Sequence, residues 1–178
     1  MERFIRGERV YDGKLLKVHR DEVSVDGAKD SVREYIRHPG AVCAAALDGE
    51  GRLWFVKQYR YDIGRDTLEL PAGKLEEGED PDEAAARELG EETGFTAGRL
   101  EPIGSILPSP AYTTEEIFLY LATDLTAGDA HPDEGEVLDA FPLPLEEAVE
   151  MVLDGRIRDA KTVAAVLRIN ELMRRQET

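Results

Sequence analysis

Cys43 is the only cysteine in the sequence, which excludes an intramolecular disulfide. Its setting, AVCAAAL, reads as a buried strand and not as a reactive thiol site. No apolar run approaches the ~20 residues that span a bilayer, and the opening MERFIRGERV lacks the apolar core of a secretory signal. A cytoplasmic protein without a membrane partner is therefore expected. Basic residues are scarce as well: 22 Lys and Arg stand against 38 Asp and Glu, for a formal net charge of -16. That imbalance argues against a protein that works by neutralising nucleic-acid phosphates or by docking on anionic lipid. An anionic small molecule remains open to it, because a bound cation reverses the field locally.

Apolar residues are not lacking, and at 42% of 178 residues they suffice for one folded domain of ordinary size. Loosely alternating stretches at 15–25 and 31–37, joined by the turn residues DGAKD, predict a β-hairpin. Short apolar runs at 41–47 and 53–59 flank DGEG and predict two more strands. Segments 67–70, 100–107, 117–125 and 137–141 complete the predicted strand set. Helices are predicted over 145–153 and through KTVAAVLRINELMRR, where Val163, Val166, Leu167 and Ile169 recur near helical spacing. Strands before and after a single acidic helix suggest an α+β layered domain.

That acidic helix lies in GKLEEGEDPDEAAARELGEETGF, residues 73–95. Asp80 is placed to cap it, Pro81 suits its first turn and Glu83 completes a D-x-x-E capping box, while Gly94 suits a left-handed end. At about 100° per residue, Ala85, Leu89 and Thr93 share one side, and Glu88, Glu91 and Glu92 gather on another. Carboxylates roughly 6 Å apart repel by about 0.7 kcal/mol in water and about 2.8 kcal/mol at an effective dielectric of ~20. Two readings of this cluster stand on the helix alone. One is a solvated charged face with an Arg87–Glu91 pair one turn apart; the other is a set of oxygen ligands for a hard divalent cation. Gly90, in mid-helix, costs about 1 kcal/mol relative to alanine and predicts close approach of another chain segment.

With its upstream loop the segment reads Gly73, five residues, Glu79, seven residues, then Arg87-Glu88-Leu89-Gly90-Glu91-Glu92-Thr93-Gly94-Phe95. This resembles the Nudix box at all seven fixed and both apolar positions. The resemblance extends through KQYRY, LELPAGKLEEGE and SPAYTTEE, and is similar to the ADP-ribose pyrophosphatase branch of the Nudix hydrolases. It implies an α/β/α sandwich around a mixed β-sheet, with residues 1–40 as an N-terminal antiparallel hairpin region and 41–178 as the Nudix domain. It also implies that Glu88, Glu92 and the Ala72 carbonyl hold Mg²⁺, with Mn²⁺ as a substitute, and that Glu91 binds a further metal or a metal-bound water.

The resemblance further implies that Arg60 holds a diphosphate, that Glu69 contacts the site and that Arg37 approaches the adenine or phosphates from a partner subunit. Glu134 and Glu136, in HPDEGEV, become candidates to orient or deprotonate the attacking water. His38 reads as structural. Pro110, sixteen residues after Gly94, resembles the marker of the ADP-ribose branch, while the nearby Tyr112 resembles that of diadenosine polyphosphate hydrolases. The implied reaction is hydrolysis of ADP-ribose to AMP and ribose 5-phosphate by a homodimer whose N-terminal strands cross between subunits. Hydrolysis of another nucleotide sugar such as GDP-mannose, of a dinucleotide, or mere binding of nucleotide sugars stand as alternatives.

Overall fold

Turn chemistry divides the first forty residues into three antiparallel strands, β1 (Glu2–Asp12), β2 (Lys17–Val25) and β3 (Lys29–Ile36), in the order β1-β2-β3. The computed structural model describes residues 1–27, 29–131 and 139–176, with Lys29 described by its backbone alone. After β2, Asp26 (φ 52) and Gly27 (φ 72) both turn left-handed, as an Asp-Gly pair does readily in a tight hairpin. The β2–β3 hairpin matches the sequence expectation. β1 was not expected: every one of its eleven residues is exposed, so no apolar alternation announces it.

Residues 1–40 and 107–116 form one compact unit, and the remainder forms a second. Within the first, segment 107–116 is tied to β3: Ile36 N–H donates to the Tyr112 carbonyl at 2.8 Å, and Thr114 N–H to the Ile36 carbonyl at 3.0 Å. His38 serves this junction, with Nδ1 accepting from Gly40 N–H at 3.1 Å and Nε2 lying 3.8 Å from Glu115. The structural reading of His38 agrees with these contacts.

The second unit is built around β4 (Ala41–Ala46), the AVCAAA run, which is buried at every position. Its partners are β5 (Arg52–Arg60), β6 (Arg65–Glu69), β7 (Ala72–Lys74), helix α1 (Pro81–Thr93), β8 (Phe95–Ile106), β9 (Ile117–Ala127), β10 (Asp139–Pro144), α2 (Leu145–Leu153) and α3 (Ala160–Gln176). β4 pairs parallel with β9 and antiparallel with β7, and β8 joins antiparallel to β9, which makes a mixed sheet in the order β7-β4-β9-β8. A second sheet runs β10-β5-β6.

Strand alternation assigns β4 to two layers at once. Val42, Ala44 and Ala46 pack with Ala84, Ala85 and Leu89 of α1. Ala41, Cys43 and Ala45 pack on the other side with Phe55 and with Ala148, Ala165, Val166 and Ile169 of α2 and α3. Small residues on both faces of β4 leave room for the layers to approach, and burial of Leu89 alone contributes roughly 1.5–3 kcal/mol. The expected α/β/α arrangement is the one observed.

Candidate active site

α1 begins and ends where its residue types dictate. Asp80 takes extended backbone and its side chain accepts from Asp82 N–H at 2.8 Å, while Gly94 closes the helix at φ 74 with its N–H on the Gly90 carbonyl. The box expected with Glu83 does not form among the described residues, since Asp80 serves Asp82 and Glu83 stays exposed. Tyr120 of β9 fixes the first turn by donating to Asp82 at 2.6 Å. Gly90 departs from expectation. A Cβ there would meet nothing nearer than the Phe95 carbonyl at 3.8 Å, so the glycine is not forced by a close neighbour.

Close approach occurs instead at Gly73, where a Cβ would fall 1.9 Å from Glu88 Oε1. The Glu88 carboxylate occupies the space that any side chain at position 73 would need. One residue earlier, Ala72 N–H donates to Glu92 Oε2 at 3.2 Å, and Glu92 is 7% exposed. Two of the three clustered glutamates are thus seated against one backbone elbow, with Cys43 of β4 paired to Ala72 behind it.

Arg87 gathers the remaining charge. It donates to Glu79 at 2.8 and 2.9 Å, to Glu88 Oε1 at 2.7 Å and to Glu91 Oε2 at 3.0 Å. The Arg87 hydrogen bonds, helped by Glu76 N–H, hold the Glu79 carboxyl down at about 2. The Arg87–Glu91 pair considered on sequence grounds therefore exists, but as one arm of a four-residue cluster.

Among the described residues no three His, Cys, Asp or Glu side chains converge as a ready cation cage. The donor chemistry nonetheless suits a hard divalent ion: carboxylate oxygens of Glu88 and Glu92 face one backbone elbow, kept clear of side chain by Gly73. Glu91 lies on the same helix one turn from Arg87.

Three residues upstream of Ala72, Glu69 centres a second network. Register pairing places Arg60 opposite Arg65, and Thr67 and Glu69 follow on the same face of the β5–β6 hairpin. Glu69 is 3% exposed and accepts from Arg60 Nε at 2.8 Å, Arg60 Nη2 at 2.6 Å, Thr67 at 2.6 Å and the Lys161 ammonium. Burial alone would raise its pKa, but the Arg60 bonds and Lys161 outweigh that and hold it at about 2.

Lys161 is itself buried and stays charged, since Asp159 and Glu69 overcome the cost of its desolvation. Asp159 caps α3, accepting from Thr162 N–H at 3.0 Å, Thr162 hydroxyl at 2.6 Å and Lys161 at 3.0 Å. Burial pushes the Cys43 thiol up to about 12. The inert, buried thiol expected from AVCAAAL is what the strand contains.

A family model described as the NUDIX domain matches residues 37–166. The chain belongs to the Nudix family. Among its relatives, a methanol dehydrogenase activator of Bacillus methanolicus is 41% identical over 167 residues, covering 93% of this chain and 90% of that protein. An ADP-ribose pyrophosphatase of Bacillus subtilis (strain 168) is 37% identical over 180 residues, covering 99% and 97%. A crystal structure described as an ADP compounds hydrolase superposes with a TM-score of 0.87 at 24% identity, covering 98% of this chain and 95% of that one, and establishes the Nudix fold. The resemblance to the ADP-ribose pyrophosphatase branch is thereby borne out, and the chain is a Nudix hydrolase.

Within the Nudix unit the structure brings Ala72, Glu88 and Glu92 together, sets Glu91 beside them on α1, and pairs Arg60 with Glu69. Arg37 and Pro110 are exposed residues of the other unit. Glu134 and Glu136 lie outside the described residues. Sequence reading assigned no role to Lys161, Asp159 or Thr162. The signal available was Asp159-Ala160-Lys161-Thr162, a cap-like D-x-x-T ahead of an apolar run, which marks a helix start but not a buried lysine.

Proposed function

We propose that this chain hydrolyses the diphosphate bond of ADP-ribose to AMP and ribose 5-phosphate, with Mg²⁺ as cofactor and Mn²⁺ as a substitute. The seating of Glu88 and Glu92 against the 72–73 elbow carries the reading. Glu88, Glu92 and the Ala72 carbonyl hold the cation, and Glu91 holds a further one or its water. When bound, such ions neutralise phosphoryl oxygens and lower the pKa of a coordinated water. Arg60 binds the diphosphate through a planar guanidinium suited to phosphate oxygens. Glu134 or Glu136 orients or deprotonates the water that attacks phosphorus in line.

Pro110 shapes recognition of the ADP-ribose moiety, and Arg37 reaches adenine or phosphate from a second subunit. A homodimer is supported by β1, an edge strand that exposes Phe4, Ile5, Val10 and Tyr11. Strands 1–40 crossing between subunits would cover that face, leaving 41–178 as the catalytic part. No described helix is long and apolar enough to cross a membrane, and with its single thiol buried the enzyme fits a cytoplasmic setting.

Release of the nucleotide product, AMP from ADP-ribose or GMP from GDP-mannose, followed chromatographically with Mg²⁺ over a panel of ADP-ribose, GDP-mannose and a dinucleotide, tests the substrate. Preference for another member of the panel would replace ADP-ribose, and binding without turnover of any member would reduce the protein to a nucleotide-sugar sensor. The 41% identity to a dehydrogenase activator favours a second reading, in which the chain raises the rate of a methanol dehydrogenase. Adding the wild type and Glu92→Gln to that dehydrogenase separates an activator dependent on hydrolysis from one that acts by contact alone.

A further inference from the structure

We propose that Lys161 is a positioning residue for substrate binding: acting through Glu69, it fixes the Arg60 guanidinium with its Nη1 group presented to the diphosphate. The inference rests on the reading of Arg60 as the diphosphate contact. Asp159, Lys161, Glu69 and Arg60 form a line of alternating charge from the start of α3 to an arginine whose side chain is 43% exposed. Arg60 spends Nε and Nη2 on the two oxygens of Glu69, and among the described residues its Nη1 has no hydrogen-bond partner. Glu69 Oε1 is shared by Arg60 and Thr67, and Oε2 by Arg60 and Lys161, so the carboxylate cannot rotate without breaking several charge-assisted bonds.

Fastening α3 to the hairpin does not require this lysine. Thr162 does that, its hydroxyl accepting from Leu70 N–H at 2.9 Å and donating to Asp159 at 2.6 Å. Attachment and charge are thus divided between adjacent buried residues. With Lys161 removed, Glu69 retains one cation instead of two, and the guanidinium is free to slide over the carboxylate to neutralise it. The edge offered to a phosphate then loses its fixed direction.

The test compares Lys161→Met, Thr162→Val and Arg60→Ala in the full chain. Lys161→Met is expected to broaden the Arg60 Nε–H resonance in ¹⁵N-labelled protein and to raise KM for ADP-ribose about tenfold, the scale of one charge-assisted bond, with kcat within about twofold. Thr162→Val is expected to lower Tm while leaving the Arg60 resonance and KM within about twofold of wild type. In the Arg60→Ala background, Lys161→Met should add no further rise in KM, because its effect passes through Arg60. An unchanged Arg60 resonance in Lys161→Met, or multiplicative effects in the double variant, would overturn the inference. Wild-type protein that makes no AMP sinks the proposed function itself. An active enzyme whose KM is unmoved by Arg60→Ala sinks the diphosphate contact and this inference with it.

Discussion

Glu69 and Glu88 are enclosed carboxylates of the same unit, yet they are held in opposite ways. Around Glu69 two anions, Glu69 and Asp159, meet two cations, Arg60 and Lys161, in a closed set of short bonds. Around Arg87 one guanidinium serves three carboxylates, Glu79, Glu88 and Glu91. A charge-balanced network centred on a buried anion rigidifies what it joins, whereas one with excess negative charge is changed by any cation that arrives. The first behaves as scaffold and the second as a receptor for positive charge.

The strongest way to break the scaffold is Glu69→Gln. It leaves Arg60 and Lys161 without their shared anion and is expected to cost about 3–5 kcal/mol in denaturant unfolding. Because Glu69 is held at about 2 against an ordinary value of 4.5, its contribution is complete above about 4.5 and disappears as pH falls toward 2. Wild type should therefore lose stability through that window, and Glu69→Gln should lack that part of the slope. At the adjoining 72–73 elbow, Glu92→Gln should leave the fold standing but reduce Mg²⁺-supported turnover roughly a hundredfold, with weaker cation uptake by calorimetry.

Two glycines, Gly73 in β7 and Gly90 in α1, sharpen the contrast. Gly73→Ala displaces Glu88 from its seat and should cut turnover by roughly tenfold or more. Gly90→Ala enters ordinary van der Waals space and should raise stability by up to about 1 kcal/mol, read as a higher Tm. The smallest effects lie at the helix start: Asp80→Ala should cost about 1 kcal/mol, and Glu83→Gln less than 0.5 kcal/mol.

The cap at Asp80, the left-handed Gly94 and the carboxylate face of α1 were legible because each depends on neighbours within one or two turns. The β2–β3 hairpin was legible for the same reason. Gly90 misled because a propensity cost was taken to mean a packing demand, and the space beside it is open. β1 escaped because an exposed edge strand is stabilised by its ladder with β2, and its residues carry no period-two burial to read. Lys161 escaped for the opposite reason. Its environment is set by Glu69, 92 residues earlier, and no local pattern distinguishes a buried lysine near a helix start from a solvated one.

The encased sulfur on the central strand has a practical corollary. A maleimide or a spin label added to the folded protein will find nothing native to react with, so one cysteine introduced at any chosen surface position becomes an addressable handle. Distances between such handles can then be followed as nucleotide and cation are supplied, with no background mutation to make first.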